Sequence, residues 1–186
     1  MLQQLRTHLP ALDRLPKTWN LVYSLDQHGI SLNTLYTRCE AHTQAQAQSQ
    51  ARLGGRIGRP GMIVVVKDSG DSVFGVWSGD GLRQSRGKGY YGSGESFMWR
   101  YRNVEKDLDV YKWTGKNKYV VLGEPDYISF GGGEGKYGLY LDETLFEGSS
   151  ARCPTFDNEP LCSPGANKAG AVAFECVGLE VWGIGP

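Results

Sequence analysis

Short runs of β-branched and aromatic residues, interrupted by glycine, fill the chain from residue 61 onward and constrain its fold more than any other feature. The first two runs, Met62–Lys67 and Val73–Trp77, flank the turn sequence Asp68-Ser-Gly-Asp71. Such runs between turn residues predict β-strands, and a short turn between two of them predicts a hairpin. The later runs of the same character are Ser96–Tyr101, Leu108–Trp113, Tyr119–Leu122, Tyr127–Phe130, Gly138–Leu141 and Phe174–Trp182.

The pattern before residue 61 is helical. No helix-length segment separates the later runs, so the long crossovers that parallel strands need are missing and antiparallel pairing follows. We therefore predict a mainly β fold of the α+β class, a two-sheet antiparallel β-sandwich flanked by helices at the N-terminal side. The first helix is expected from an apolar stripe at steps of three and four residues, divided by Pro10, whose members are Leu2, Leu5, Leu9, Leu12 and Leu15.

Length and composition predict a single domain over residues 1–186. Of these 186 residues, 40% are hydrophobic, which is enough apolar surface for one core. Ser31 is the expected N-cap of a second helix that carries Leu32, Leu35 and Tyr36 on one face. We interpret the Gln- and Gly-rich stretch at about 43–60 as the fraying end of this helix running into a flexible insertion.

Charge is balanced overall but uneven along the chain. The 20 Lys and Arg residues match 20 Asp and Glu residues, which gives no global preference for nucleic acid. Residues 124–186, however, contain three basic and ten acidic side chains. This is either ordinary unevenness of a solvated surface or an acidic patch that docks a basic partner.

The sequence predicts an intracellular protein that does not insert into a membrane. Its longest apolar run, Met62–Val66, is far shorter than the roughly 20 residues of a membrane span, and the amino terminus is too polar for a secretory signal. In a reducing compartment we expect free, buried thiols, although the spacing of Cys153 and Cys162 would permit a bridge. The cysteines form no CxxC pair and no metal-ligand spacing with histidine, so no metal or cofactor is expected.

Several catalytic and nucleotide motifs occur without their required context. Gly87–Gly92 and Gly133–Gly138 both fit G-x-G-x-x-G, but each runs into strand-like sequence where a helix should begin. Ser85-Arg-Gly-Lys88 fits S-x-x-K but lacks the companion motifs. His28 could serve a Ser31 or Cys39 nucleophile, with Asp26 as its acid, but a turn with a surface histidine is the simpler interpretation.

Glu95 and the tryptophans are further candidates for function. Glu95 lies between Gly94 and Ser96, where it could cap a loop, bind a partner or act as an acid. The tryptophans could form a stacking platform, but most occur in alternating apolar contexts, so we predict that they pack in the core. They are Trp19, Trp77, Trp99, Trp113 and Trp182.

Long phrases in a fixed order resemble the TLDc domain family of oxidation-resistance proteins, over roughly residues 5–185. The longest runs from Trp19 to Tyr36, with Leu-Val-Tyr-Ser-Leu-Asp-Gln-His-Gly-Ile-Ser-Leu-Asn-Thr-Leu after Asn20. The others are Tyr90-Tyr-Gly-Ser-Gly-Glu-Ser-Phe97, Lys112-Trp-Thr-Gly-Lys-Asn117, the glycine-rich segment Phe130–Leu139, Leu141-Asp142, Gly148-Ser-Ser150 and Leu179-Glu-Val-Trp-Gly183. The stretch at 43–60 is longer than the usual link of the family.

The resemblance implies a sandwich with flanking helices, protection from oxidative damage, and binding to the peripheral sector of the vacuolar proton-pumping ATPase, whose assembly or activity it would influence. It implies no catalytic residues and no cofactor. We expect a monomer in the cytoplasm, associated with the vacuole surface or with mitochondria, that binds a protein partner and no nucleic acid. The phrases single out nine residues, which we assign first to the architecture of the loops and second to a candidate interaction surface: Asp26, Gly92, Gly94, Glu95, Gly131, Gly132, Gly133, Lys136 and Gly138.

Three functional classes therefore remain at this stage. The first is a non-enzymatic protein-binding module that acts on the proton pump, which requires a surface and no chemistry. The second is a cysteine-based redox sensor or scavenger, which requires an exposed thiol of low pKa. The third is a cryptic hydrolase, which requires a pocket with a base and a nucleophile.

Overall fold

A computed structural model describes residues 1–15, 18–52 and 60–185. Its helices are α1 (Leu2–His8), α2 (Leu25–His28) and α3 (Leu32–Arg52), with a 3₁₀ turn at Leu12–Arg14. Its strands are β1 (Thr18–Ser24), β2 (Met62–Asp68), β3 (Val73–Ser78), β4 (Phe97–Arg102), β5 (Asp107–Lys112), β6 (Val121–Gly123), β7 (Tyr127–Phe130), β8 (Leu139–Asp142), β9 (Glu147–Ala151), β10 (Asn167–Lys168) and β11 (Ala171–Gly185).

Strand β11 joins two antiparallel sheets. Its second half pairs with β1 and β2, which begins sheet I in the order β1-β11-β2-β3-β4-β5. Its first half pairs with β9 and β10, which begins sheet II in the order β10-β11-β9-β8-β7-β6. The register shifts between Cys176 and Gly178, where the strand passes from one sheet to the other. The predicted mainly β, α+β architecture is confirmed.

The main core lies between the two sheets. Phe74 of sheet I and Phe174 of sheet II meet edge to face, with ring centroids 5.1 Å apart. Alternation places the side chains: Leu139 and Leu141 of β8 are buried in this core, whereas Tyr140 and Asp142 between and after them are half-buried on the outer face of sheet II.

A second core covers the outer face of sheet I. Leu5 and Leu9, from α1 and its C-cap, pack on Trp77 and Trp99 and are fully buried. The prediction that Leu12 and Leu15 continue the packed apolar stripe was wrong, because their side chains are 80% and 73% exposed. The helix ends before Pro10, as expected, and the chain turns away so that the later leucines leave the sheet.

Helix α3 begins as the sequence predicts. The Ser31 hydroxyl accepts a hydrogen bond from the Thr34 backbone N–H at 3.1 Å, which caps the helix, and Leu32, Leu35 and Tyr36 are buried. Residues 43–52 of the expected flexible insertion lie within α3, and residues 53–59 lie outside the described part of the chain. The insertion itself therefore stays a prediction.

Candidate functional site

The first glycine loop, residues 87–94, is fastened to the edge of sheet II. Tyr91 and Val121 exchange two backbone hydrogen bonds of 2.9 and 2.8 Å. The Tyr91 hydroxyl accepts from the Arg83 N–H at 2.9 Å and donates to the Arg83 carbonyl at 2.7 Å, while the guanidinium lies 3.8 Å from the ring centroid. Gly92, at a φ of +118°, leaves room for Val120, which a Cβ would approach to 2.6 Å.

The second glycine loop, residues 131–138, is fastened to the same region. The Gly131 N–H donates to the Val120 carbonyl at 2.9 Å, and the Gly132 N–H donates to the Thr155 hydroxyl at 2.9 Å. Asn117 donates from its side chain to the Gly132 carbonyl at 3.2 Å. Asn117 and Thr155 therefore support the loop, a role that the sequence analysis missed although Asn117 ends one of its quoted phrases.

The two loops converge. The rings of Tyr90 and Tyr119 lie 4.6 Å apart between them. Gly132 lies so close to Tyr90 that a Cβ at position 132 would be 3.0 Å from the Tyr90 hydroxyl. Gly131 and Gly138 lie below the surface, where a Cβ would meet the Cys153 sulfur at 2.6 and 3.0 Å. Of the predicted surface, Gly131, Gly132 and Gly138 are thus buried spacers and present no side chain to a partner.

Lys136 of the second loop lines a shallow groove of about 240 Å³ together with Lys116, Glu134 and Arg152. Arg152 is paired with Asp157 at 2.6 Å, and the ion pair lowers the pKa of the Asp157 carboxyl. Lys136 is half-buried, and its ammonium lies beside Gly170, where a Cβ would approach Nζ to 2.7 Å. The groove offers a rigid rim of mixed charge to a polar partner.

Glu95 and Asp26 lie apart from this groove. Glu95 is exposed and faces the turn after α1, where its charge adds to burial in raising the pKa of Asp13. Gly94 beside it lies on the Trp113 ring, which a Cβ would approach to 2.5 Å. Asp26 is exposed in another groove, with Val65 and Lys67 of sheet I. The nine residues of the predicted surface therefore occupy at least three places.

A third groove, of about 340 Å³, separates α3 from the segment that leads into the first glycine loop. Glu40 of α3 and Arg86 are paired across it at 2.7 Å. Ser85, the serine of the S-x-x-K match, is buried and its hydroxyl accepts from the Gly123 N–H at 3.0 Å. The hydroxyl therefore supports the backbone at Gly123, which is a structural role for the serine of the S-x-x-K match.

The suggested hydrolase groups each have another partner. His28 accepts through Nδ1 from the Ser24 N–H at 3.0 Å, which closes the turn of α2, and its ring stacks on Tyr23. Ser31 is occupied as the cap of α3. Burial raises the pKa of the Cys39 thiol to about 12. A base and a nucleophile are therefore not brought together at these residues.

All four cysteines are buried, with free thiols: Cys39, Cys153, Cys162 and Cys176. Burial, the largest cause, raises the pKa of Cys162 and of Cys176 to about 11 and also raises that of Cys153. The Cys153 thiol donates to the Asn158 side-chain oxygen at 3.2 Å. These thiols are poor nucleophiles at neutral pH, because the thiolate is the reactive form.

Trp77 and Trp99 lie in the core, as the sequence predicts, and Trp19 and Trp113 pack against it. Trp77 and Trp99 are fully buried, and the other three are half-buried. The indole N–H of Trp113 donates to the Asn117 carbonyl at 2.8 Å, and that of Trp182 donates to the Glu180 carboxylate at 2.8 Å. They do not form an exposed stacking platform.

Neither a metal-binding cluster nor a membrane-spanning helix is present among the described residues. Among residues 1–15, 18–52 and 60–185, no group of three or more His, Cys, Asp or Glu side chains could hold a metal ion. Within the same residues, no helix has the length and apolar character needed to cross a membrane.

The sequence of this chain matches a known domain family over nearly its whole length. The chain belongs to the TLDc domain family, whose profile matches residues 1–185. A protein of Cryptococcus neoformans named Oxidation resistance protein 1 is 41% identical over 179 residues, which cover 96% of this chain and 36% of that protein. Proteins of the same name from Yarrowia lipolytica and Saccharomyces cerevisiae are 37% and 30% identical, over 98% and 100% of this chain and 70% and 71% of their own lengths. The chain thus spans little more than a third of the Cryptococcus protein.

Proposed function

We propose that this chain is a non-enzymatic protein-binding module that protects against oxidative stress by binding the peripheral sector of the vacuolar proton-pumping ATPase and regulating its assembly or activity. The observation that carries the proposal is the TLDc match over residues 1–185, together with relatives named Oxidation resistance protein 1. The binding partner comes from the family resemblance. Action as a monomer at the cytoplasmic surface of the vacuole, or at mitochondria, belongs to the same proposal.

The paired glycine loops suit a binding role. Tyr91 and Gly131 both bond to the segment at Val120 and Val121, so the two loops are held on one support before a partner arrives. Pre-ordered loops lose little conformational entropy on binding, which favours affinity from a modest surface. Lys136 and Glu134, at the tip of the second loop, supply charges of both signs to such a surface.

The buried thiols favour binding over direct scavenging. A scavenger must present a thiolate to peroxide, whereas these thiols are buried and have raised pKa values. Oxidation of this chain by peroxide would first require its opening. Protection through a partner needs no such step.

The test combines complementation with a binding assay. The wild-type chain should restore peroxide resistance to a yeast strain that lacks its own Oxidation resistance protein 1, and purified chain should bind the isolated peripheral sector of the proton pump. Lys136→Glu and Glu95→Lys, made separately, should weaken this binding while the melting temperature stays nearly constant, because surface substitutions change stability by no more than about 0.5 kcal/mol.

Lys106→Glu, on the exposed turn between β4 and β5, is the matched control for Lys136→Glu. Both variants change the net charge equally, so a general charge effect would weaken binding in both. If wild-type protein fails to bind the isolated sector, the proposed partner is wrong. If the wild-type chain fails to restore peroxide resistance, the proposed protective role is wrong.

A further inference from the structure

The outer face of sheet II carries two ordered rows of side chains. Cross-strand pairing aligns Ser129 of β7 with Tyr140 of β8, Tyr140 with Ser149 of β9, and Ser149 with Ala173 of β11. Side chains of a strand alternate between faces, and the buried neighbours of these residues point into the core. The first row is therefore a strip of small residues around one tyrosine.

The second row, two residues along each strand, is acidic. Tyr127 pairs with Asp142, and Glu147 pairs directly with Glu175. The Glu147 N–H donates to the Asp142 carboxylate at 3.2 Å, which links the two halves of the row. Like charges directly opposite each other destabilise a sheet, so the Glu147 and Glu175 pair costs stability in the isolated chain.

These two glutamates are not neutralised by the fold. Both are exposed, and neither has an ion-pair partner among residues 1–15, 18–52 and 60–185. They line a groove of about 550 Å³, whose remaining charged side chain is Asp68. Asp68 is buried and accepts hydrogen bonds from Gly70, Ser72 and Ser163, so Glu147 and Glu175 are the carboxylates left for a ligand.

A cluster of tyrosines adjoins the acidic row. The rings of Tyr127, Tyr137 and Tyr140 lie 5.4 to 6.0 Å apart, and all three are half-buried. Ser129 lies on the same face, fully buried, and its hydroxyl has no hydrogen-bond partner among the described residues. Burial and then the Asp142 carboxylate raise the pKa of Tyr140, so its phenol stays neutral at physiological pH.

The nearest basic group in register lies at the far end of the face. Lys168 of β10 pairs with Ala171, which is four residues before Glu175 on β11. The charge of this face therefore changes along the strands, from carboxylates at one end to a lysine at the other. This polarity would orient a bound segment rather than neutralise the acidic row.

We propose that the outer face of sheet II binds an arginine-containing basic segment of a partner protein, with guanidinium groups on Glu147 and Glu175 and over the tyrosine rings. Arginine fits both features, since its planar guanidinium forms bidentate bonds with carboxylates and also stacks on aromatic rings. Nucleic acids and anionic lipid surfaces carry the wrong charge for this row. The inference rests on the proposed function as a protein-binding module and adds the chemistry of the partner.

The direct test uses an Arg-Gly repeat peptide and the ¹⁵N-labelled full chain. Titration should shift the amide resonances of residues 140–149 and 171–175, and a Glu-Gly repeat peptide should shift none of them. Glu147→Lys combined with Glu175→Lys should weaken binding about ten-fold or more, because attraction becomes repulsion. Tyr140→Leu keeps the apolar surface and should weaken binding about two- to five-fold through the loss of the cation–π contact.

The matched control is Glu105→Lys with Asp107→Lys, which makes the same change in net charge at the exposed hairpin between β4 and β5. It should weaken binding by less than about two-fold. Equal losses in the two double variants, or shifts centred elsewhere on the chain, would overturn the proposal. Should the lysine variant melt early, Glu147→Gln with Glu175→Gln removes the charge without reversal and must still weaken binding.

Complementation separates this proposal from the one it rests on. If the wild-type chain restores peroxide resistance and the peptide binds elsewhere, the docking face is wrong and the protective function stands. If the peptide binds this face but the chain neither restores resistance nor binds the proton-pump sector, the protective function is wrong and the face stands.

Discussion

At the residue scale, the four thiols share one environment that decides their chemistry. Each has 6% or less of its surface exposed, and burial is the largest cause of the raised pKa in every case. Because burial raises its pKa to about 12, the Cys39 thiol is almost entirely protonated at neutral pH. A thiol in this state reacts through rare opening of the fold rather than from the native state.

The consequence is measurable with a thiol reagent. Native protein at neutral pH should react with Ellman's reagent slowly, and all four thiols should react promptly once guanidinium chloride has unfolded the chain. Because folding raises the Cys39 pKa from 9.0 to about 12, the stabilisation from its protonated thiol is complete below about pH 9 and is lost as pH rises toward 12. The free energy of unfolding should therefore fall across this range.

Cys39→Ala supplies the control for that titration. Tyrosines with raised pKa values, such as Tyr90, also lose stabilisation at alkaline pH, so only the difference between wild type and variant belongs to Cys39. The variant should lose less stability than wild type between about pH 9 and pH 11. Prompt reaction of a native thiol at neutral pH would contradict the buried assignment and restore the redox-sensor hypothesis.

At the element scale, the second glycine loop contains glycines of two kinds. Gly135 has a φ of +72° and open space where a Cβ would lie. Gly131 has a φ of +68°, and its missing Cβ makes room for the Cys153 sulfur and the Phe156 ring. Both positions need left-handed backbone, but only Gly131 also needs the volume to be empty.

A pair of substitutions separates these needs. Gly135→Ala should cost about 1 to 2 kcal/mol of unfolding free energy, the strain of a left-handed alanine. Gly131→Ala should cost about 2 to 5 kcal/mol, because overpacking of the buried loop adds to the same strain. Urea unfolding of both variants measures the difference, and equal losses would show that Gly131 tolerates a methyl group.

Elements with clear alternation could be predicted from the sequence, and those set by tertiary pairing could not. Strand β2 contains the β-branched run Ile63–Val66, whereas β9 reads Glu-Gly-Ser-Ser-Ala and forms because β8 and β11 pair with it on both sides. Strand β1 was missed because its burial does not alternate regularly and a turn signal follows it. The sequence analysis grouped Asp26 and Lys136 in one candidate surface, but the folded chain places them in separate grooves.

At the scale of the whole molecule, β11 makes the two sheets one unit. Phe174 of its first half and Val181 of its second half both lie in the core between the sheets. Neither sheet can be removed without breaking the hydrogen bonds of a shared strand and exposing the inner face of the other. We therefore expect a single cooperative unfolding transition.

Core truncations in either sheet test this cooperativity. Met98→Ala on β4 of sheet I and Ile128→Ala on β7 of sheet II each remove fully buried side chains from the shared core and should cost about 2 to 5 kcal/mol. Tryptophan fluorescence measures the free energy of unfolding that Met98→Ala removes from sheet I. Native-state hydrogen exchange should show that the protection of the Leu139 and Leu141 amides in sheet II falls by the same free energy. Protection in sheet II that survives Met98→Ala would mean that the sheets unfold separately, and the shared strand would then join two independent units.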